Sequence, residues 1–204
     1  MLLVTMKDVP LTLAALATRE RIIENAETLF RKYGRLKTTI DDIAQLSGMS
    51  HANVYKFFSS KDDLIEIIGE RSFARLKSDV TKIGRSKGST WHKIELMILK
   101  YHRMLRREME NEAHILELAI SVREKGLRFV ENFDNFFVAN MTQILEQGIA
   151  TNEFRPLDPA ITAQAIMDCV LFATRAQFIG DLPAKEHERR LIAQLSLLAH
   201  AVKQ

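Results

Sequence analysis

Hydrophobic residues recur every three or four positions along almost the whole chain, which is the spacing of one face of an α-helix. Strictly alternating β-branched runs are missing, and the 204 residues include only four Pro and eight Gly, the residues that interrupt helices. The pattern therefore predicts an all-α protein of about nine helices, without a sheet. The predicted helices span approximately residues 18–33, 40–47, 51–57, 60–83, 91–109, 112–123, 127–150, 159–179 and 185–202.

Two short predicted helices, joined at Gly48, have the pattern of a helix-turn-helix unit. Thr39 and Ser50 precede the two helices, where a side-chain hydroxyl accepts a hydrogen bond from a free backbone N–H. Gly48 supplies the left-handed conformation that the turn requires. Because helices this short bury too little apolar surface to stand alone, we expect them to pack on the longer helix upstream as a three-helix head.

Composition narrows the class of protein. The single cysteine, Cys169, excludes an internal disulfide, and no Cys/His cluster has the spacing of a zinc site. We therefore expect a cytoplasmic protein without a cofactor or structural metal. Cys169 should be a small core residue, on one apolar stripe with Ile161 and Ala165. No apolar run approaches the ~20 residues of a membrane span.

The first 17 residues lack the features of a signal peptide, because Lys7 and Asp8 interrupt the apolar run and no basic segment precedes it. We expect residues 1–17 to be a flexible arm. Translation can start at Met1 or at Met6.

Charge is unevenly distributed, although the net charge is only +3. Residues 71–107 hold 11 basic and 2 acidic side chains, a block that fits either a solvated helix face or a surface near a polyanion or anionic ligand. Residues 31–61 hold six Lys or Arg against two Asp. This local excess matters more than the total, since phosphate neutralisation acts at contact range in cellular salt.

Enzyme signatures are missing from the sequence. It contains no Gly-rich phosphate loop, no Glu-x-x-His pair on two helices, and no Ser, His and Asp set at recognisable spacing. The sequence therefore favours a binding protein over an all-helical enzyme.

The region from about residue 19 to residue 70 resembles the DNA-binding head of the tetracycline-repressor (TetR) family of bacterial regulators. The similarity extends beyond a lone helix-turn-helix pattern, because it includes the helix before it and a Lys and Leu after it. Elsewhere, only the helix count and the run Glu153-Phe154-Arg155 are similar. The matching residues are Arg21-Ile22-Ile23, Ala26, Leu29-Phe30, Tyr33-Gly34, Thr38-Thr39-Ile40, Ile43-Ala44, Gly48, Val54-Tyr55-Lys56-Phe57-Phe58, Lys61 and Leu64.

The resemblance implies that the second short helix of the head enters the major groove of DNA. His51, Ala52 and Asn53 would lie nearest the base edges. Asn53 could hydrogen-bond adenine, and the methyl group of Ala52 could touch that of a thymine. The residues that the resemblance assigns to the phosphates are Thr39, Tyr55, Lys56 and Lys61.

Several of these residues have a second interpretation. Tyr55 could cap the core of the head, Lys61 could be a solvated residue, and His51 could be an exposed histidine without a partner. Phe57 departs from the polar residue or Tyr common in the family. Asp41 would repel phosphate unless it accepts from a cytosine amino group, so we assign it no role.

The resemblance also implies a ligand pocket among predicted helices 5 to 8. An aromatic and Met stripe at helical spacing is more often core, so both interpretations stay open. Arg175 is a guanidinium within an apolar run, so it needs a carboxylate from the protein or a ligand unless it points to solvent. The candidate ligand-binding residues are Tyr101, His102, His114, Phe133, Phe172 and Arg175.

The implied organisation is a helix-turn-helix domain at 18–62 and a ligand-binding and dimerisation domain at 63–204, with predicted helix 60–83 as connector. A homodimer would form through predicted helices 159–179 and 185–202. Its partners would be a palindromic double-stranded DNA operator and a small-molecule effector that releases the repressor. The alternatives are an orphan DNA-binding protein without effector and, less well supported, an all-helical enzyme.

Overall fold

The computed structural model describes residues 12–111, 126–179 and 182–204. These residues form helices and turns, and none of them forms a β-strand. In this part of the chain, Phe154 and Lys203 form an isolated antiparallel bridge. The all-α prediction is confirmed, and the predicted helix at 112–123 lies outside the described residues. The helices are α1 Leu13–Tyr33, α2 Ile40–Leu46, α3 His51–Val54, α4 Lys61–Arg85, α5 Thr90–Asn111, α6 Phe129–Ala150, α7 Pro159–Cys169, α8 Leu171–Thr174, α9 Ala176–Ile179 and α10 Ala184–Val202.

The chain divides into two compact units, Met1–Gly69 and Glu70–Gln204. In the first unit, α1, α2, α3 and the start of α4 enclose one apolar core. Each helix contributes residues three or four positions apart, so that one face of each short helix is covered by the others. The core residues are Ile22, Ile23, Ala26, Ile40, Ile43, Ala44, Val54, Phe58 and Leu64.

The first helix is longer than predicted. It begins at Leu13 and not at Thr18, because the Thr12 hydroxyl accepts a hydrogen bond from the Ala15 N–H at 3.2 Å and caps the helix. The end of the predicted arm, residues 13–17, is therefore helical, and residues 1–11 lie outside the described residues. The helix ends at Gly34, as predicted.

The helix-turn-helix turn is built by local hydrogen bonds. Thr39 and Asp42 form a capping box, in which each side chain accepts from the backbone N–H of the other. Gly48 has a φ of 65°, a left-handed backbone conformation that residues other than glycine rarely adopt. α3 ends at Val54, earlier than the predicted end at Phe57, and turns follow it.

Aromatic side chains fill the core of the second unit. The rings of Phe73 and Phe133 stack with centroids 4.2 Å apart, and Tyr101 meets Phe133 edge-on at 4.9 Å. Phe133 and Phe137 are fully buried. The prediction that the Phe-rich helix lies inside a bundle is therefore confirmed for these residues of α6.

The loop between α6 and α7 caps α5. Glu153 accepts hydrogen bonds from the Ser89 hydroxyl at 2.6 Å and from the backbone N–H groups of Thr90 and Trp91 at 2.8 and 3.0 Å. The first N–H groups of a helix have no partner within it, so this carboxylate supplies one from a distant loop. Burial raises the pKa of Glu153, but the hydrogen bonds outweigh burial and lower the pKa to about 2.

The predicted helix at 159–179 is interrupted at Val170 and Arg175 and forms three segments. Arg175 has an extended backbone, with φ −128° and ψ 128°. The carbonyl of Ala173 accepts a hydrogen bond from the ring of His102 at 3.0 Å. His102 lies on α5, so the sequence around Ala173 contains no signal for this hydrogen bond.

α7 buries a different face from the predicted one. Ile161 is 69% exposed, and Ala165 and Cys169 are also exposed, so the expectation that Cys169 is a core residue is wrong. The helix has small and apolar residues on several sides, so that spacing alone does not select its buried face. The buried residues of α7 are Ala163, Ile166 and Met167.

Two further observations concern only the described residues. None of their helices combines the length and the apolar character that a membrane crossing requires. They also bring together no group of three or more His, Cys, Asp or Glu side chains that could hold a metal ion.

Candidate functional site

The first turn of α3 faces solvent. The Ser50 hydroxyl accepts from the Asn53 N–H at 3.3 Å, which starts the helix at His51, and Val54 is fully buried in the core. His51 and Ala52 are exposed, and Asn53 is partly exposed. The three residues predicted to reach base edges therefore lie at the surface on one helical turn, and Val54 anchors the end of that turn in the core.

The side chain of His51 is held on two sides. Its Nδ1 hydrogen-bonds Asp41 Oδ1 in the first turn of α2, and its ring packs on Tyr55 with centroids 4.9 Å apart. Tyr55 itself is 45% exposed, so it lies outside the core. The sequence analysis assigned Asp41 no role and did not anticipate its contact with His51, which lies ten residues away.

Two residues predicted to contact phosphate already have acceptors within the head. The Thr39 N–H and hydroxyl both donate to Asp42, at 2.8 and 2.7 Å. Lys61 Nζ donates to the backbone carbonyls of Arg35 and Thr38, both at 2.8 Å, and so ties the start of α4 to the loop between α1 and α2.

The basic residues of the head have different surroundings. Arg35 is only 4% exposed and pairs with Asp62 at 2.5 Å, so its charge is neutralised within the head. Lys37 and Lys56 are exposed. Part of the excess positive charge of residues 31–61 is therefore buried. Lys37 is an accessible cation like Lys56, although the family resemblance assigned it no role.

In the second unit, five of the six candidate ligand-binding residues form two neighbouring groups, while His114 lies outside the described residues. The first group contains Tyr101 and Phe133, which are fully buried against each other, and Arg175. Burial raises the pKa of the Tyr101 hydroxyl, and the Asp134 carboxylate adds to this effect while Arg175 opposes it. Tyr101 therefore stays a neutral phenol beside a pair of charges.

The carboxylate that Arg175 requires comes from the protein. Its Nη1 and Nη2 donate to Asp134 Oδ1 and Oδ2 at 3.2 and 2.6 Å. Burial raises the pKa of Asp134, although Arg175 lowers it. In the sequence, Asp134 is noticeable as an acid within the Phe-rich run of α6, but nothing there identifies Arg175 as its partner.

The second group is a stack of rings. His102 and His187 lie parallel with centroids 5.0 Å apart, both 1% exposed, and Phe172 lies 4.9 Å from His187. Burial lowers the pKa of His102, and the neighbouring His187 lowers it further. Sequence reasoning missed His187, because nothing local pairs α10 with α5.

The last helices expose apolar side chains in the described part of the second unit. Leu197 on α10 is 73% exposed. The exposed large apolar residues of α7 to α10 are Ile161, Leu171, Phe178, Ile192 and Leu197.

Family models match both halves of the chain. Residues 22–68 match the model described as "Bacterial regulatory proteins, tetR family". Residues 92–193 match the model described as "Tetracyclin repressor-like, C-terminal domain". The first match contains α2 and α3, and the second contains all five described ligand-binding candidates.

Individual proteins are also similar to this chain. The uncharacterised HTH-type transcriptional regulator YfiR of Bacillus subtilis is 28% identical over 146 residues, which are 69% of this chain and 70% of YfiR. FadR of Thermus thermophilus, a TetR-family repressor solved with lauroyl-CoA, has a TM-score of 0.66 at 18% identity, covering 88% of this chain and 92% of FadR.

SmeT, the repressor of a multidrug efflux pump in Stenotrophomonas maltophilia, has a TM-score of 0.68 at 18% identity. The likeness covers 91% of this chain and 90% of SmeT. SmeT has also been solved in complex with triclosan. At these identities, the two structures show a shared fold.

Proposed function

The chain belongs to the tetracycline-repressor (TetR) family of bacterial transcriptional regulators, and we propose that it is a repressor released from its operator by a small-molecule effector. The observation that carries the proposal is the exposed, capped first turn of α3, which offers His51, Ala52 and Asn53 to a major groove. The protein would act in the cytoplasm, where its DNA lies.

For DNA recognition, we assign base contacts to His51, Ala52 and Asn53 and phosphate contacts to Tyr55 and Lys56. Exposure supports these assignments, since all five reach solvent on or just after α3. Phosphate contacts fix the register on the duplex, while base contacts carry the sequence information. Lys37 is an additional candidate for phosphate.

The phosphate contacts of Thr39 and Lys61 are less well supported. Their donors are already engaged with Asp42 and with loop carbonyls, so a phosphate would have to compete for them. We therefore expect both residues to act on DNA chiefly by holding the N-terminus of α2 in place.

A homodimer with two heads would reach successive major grooves, about 34–36 Å apart, on a palindromic operator. The exposed apolar side chains of α7 to α10 support a dimer through these helices, because such side chains are usually covered in an assembly. Leu197→Glu should therefore give a monomer in sedimentation velocity at micromolar concentration. Leu13→Glu, which changes an even more exposed Leu on α1, should leave the dimer intact.

For the effector, we propose the second unit as its site, with Tyr101, His102, His114, Phe133, Phe172 and Arg175 as candidate contacts. Their chemistry suits a largely apolar molecule with one polar group. An anionic group would have to compete with Asp134 for the Arg175 guanidinium. The lauroyl-CoA complex of FadR and the triclosan complex of SmeT support this class of ligand. Binding would alter the spacing of the heads through α4, which contains residues of both units.

The test of DNA binding is a mobility-shift assay with the protein's own upstream intergenic DNA and excess random competitor. Specific regulation predicts a shift that survives the competitor. An equal shift on random DNA would exclude a specific operator, and no shift on either would exclude the DNA-binding proposal. A thermal-shift screen of apolar acids and phenols then tests the effector, since a ligand that binds the folded protein raises Tm.

A further inference from the structure

We infer that Asp41 is a positioning residue for base recognition, which holds the His51 imidazole by Nδ1 so that Nε2 faces the major groove. The inference rests on the proposed DNA-binding role of α3. It extends that role by making a residue of α2, which need not touch DNA, a determinant of sequence preference.

The chemistry of the contact fixes the identity of the presented nitrogen. A carboxylate oxygen is only an acceptor, so the hydrogen bond between His51 Nδ1 and Asp41 Oδ1 requires a proton on Nδ1. Nε2 is then the ring nitrogen left to meet a base. In metal sites and catalytic triads, an acid behind a histidine orients the ring and selects its tautomer in the same way.

The second constraint on the ring is Tyr55. The two rings lie 4.9 Å apart at an angle of 33°, so Tyr55 limits rotation of the imidazole while Asp41 sets its direction. An exposed histidine without such contacts would have to be ordered when DNA binds, at a cost in conformational entropy. Here that ordering is already present in the protein.

The position of Asp41 suits this role. Its neighbours Ile40 and Ile43 are buried in the core of the head, so the first turn of α2 is a rigid support. The side chains of Asp41 and His51 are 75% and 49% exposed, and both therefore lie at the surface that α3 offers. The contact lies within the first unit and does not depend on the second.

A simpler explanation is that the contact only ties α2 to α3. A tie of that kind would weaken binding to every sequence by the same factor, because it would act through the stability of the head. Positioning instead changes the relative affinity at one base pair. Sequence preference, and not affinity alone, therefore separates the two explanations.

The experiment compares Asp41→Asn with Asp41→Ala on the operator and on all its single-base-pair variants. Both substitutions remove one negative charge, so their electrostatic effects on DNA affinity match. Only Asn keeps an oxygen that can accept from Nδ1–H. We expect Asp41→Asn to keep the wild-type preference, and Asp41→Ala to lose roughly 3- to 10-fold of discrimination at one base pair.

His51→Ala should lose discrimination at that same base pair. In a His51→Ala background, Asp41→Ala and Asp41→Asn should then have indistinguishable preferences, because the ring that Asp41 positions is gone. If Asp41→Ala keeps the full preference, or weakens binding equally on all sequences, the positioning role is wrong. If the wild type itself shows no preference among these sequences, the proposed specific operator fails instead.

A measurement on the unaltered protein covers the case in which Asp41→Ala does not fold. ¹⁵N-detected NMR of the histidine rings should find a proton on Nδ1 of His51, assigned by comparison with His51→Ala. An imidazole that carries its only proton on Nε2 would overturn the inference, because Nδ1 could not then donate to Asp41.

Discussion

Arg175 and Asp134 form a two-point ion pair, with donor–acceptor distances of 3.2 and 2.6 Å, at a site where the chain leaves its helical conformation. The side chains are 26% and 20% exposed, so the pair is largely removed from solvent. Breaking such a pair leaves one charge poorly solvated, which costs more than removing both charges together.

We therefore expect Asp134→Leu and Arg175→Met each to lower the free energy of unfolding by about 2–3 kcal/mol. The double variant should lose clearly less than the sum, with a coupling of about 1–2 kcal/mol. Urea titration followed by the fluorescence of Trp91, the only Trp in the chain, measures all three. Strictly additive losses would contradict the pairing.

Acid stability should depend on Glu153. Its folded pKa of about 2 lies below the ordinary 4.5, so the unfolded chain takes up the proton first as pH falls. The stabilisation is therefore complete above about pH 4.5 and is lost as pH falls towards 2. After allowance for solvent screening, Glu153→Gln should lose about 1–2 kcal/mol at neutral pH.

The control for Glu153 is Glu146→Gln, an exposed residue of α6. It removes the same charge without touching the cap of α5, so we expect a change within about 0.5 kcal/mol. In unfolding measured from pH 7 to pH 2.5, the gap in stability between wild type and Glu153→Gln should narrow progressively below about pH 4.5. A constant gap across that range would rule out the linkage.

A substitution at Gly148 tests how closely α6 packs against the loop that contains Glu153 and Phe154. A Cβ at this position would lie 2.2 Å from Phe154 Cδ2 and 2.6 Å from Thr90 Oγ1, closer than atoms can approach. Gly148→Ala should therefore destabilise by about 1–3 kcal/mol, although Ala is the better helix former. At Gly84, a Cβ would meet nothing within 4 Å, so Gly84→Ala should be neutral or gain up to about 1 kcal/mol in thermal unfolding.

Local signals explain which parts of the fold could be predicted. The caps Thr39 and Ser50 and the left-handed Gly48 act within three or four residues, so the local sequence shows where α2 and α3 begin and where the turn between them lies. The start of α7 after Asp158 is also local, since its side chain accepts from the Ile161 N–H at 3.0 Å.

Contacts distant in sequence explain what could not be predicted. Asp134 lies on α6 and His187 on α10, and nothing near Arg175 or His102 identifies them as partners. The exposed face of α7 has the same origin, because small and apolar residues on several sides leave the choice of face to tertiary packing.

The buried His102 should make the second unit sensitive to pH. The pKa of His102 lies below its ordinary 6.5, because burial and the neighbouring His187 and Arg106 lower it more than the hydrogen bond to the Ala173 carbonyl and the charge of Glu188 raise it. The unfolded chain therefore binds the proton more readily, and stability is highest above about pH 6.5 and falls as pH decreases below it. We expect His102→Gln to flatten this limb between pH 7 and 5.

His200→Gln provides the comparison, because His200 is exposed near the end of α10. Its pH dependence should match that of the wild type. An unchanged slope in His102→Gln would show that other groups carry the acid limb. Far-UV circular dichroism during urea titration at each pH supplies the free energies.

Lys56 and Lys61 have the same predicted partner, a DNA phosphate, but different surroundings. Lys56 is exposed, whereas Lys61 Nζ donates to the carbonyls of Arg35 and Thr38. Lys56→Ala should leave Tm unchanged and reduce the slope of log affinity against log salt by about one. Lys61→Ala should instead lower Tm by about 2–6 °C and keep the slope, because it removes a tie in the head. A flattened slope at unchanged Tm in Lys61→Ala would assign Lys61 to a phosphate and not to the loop.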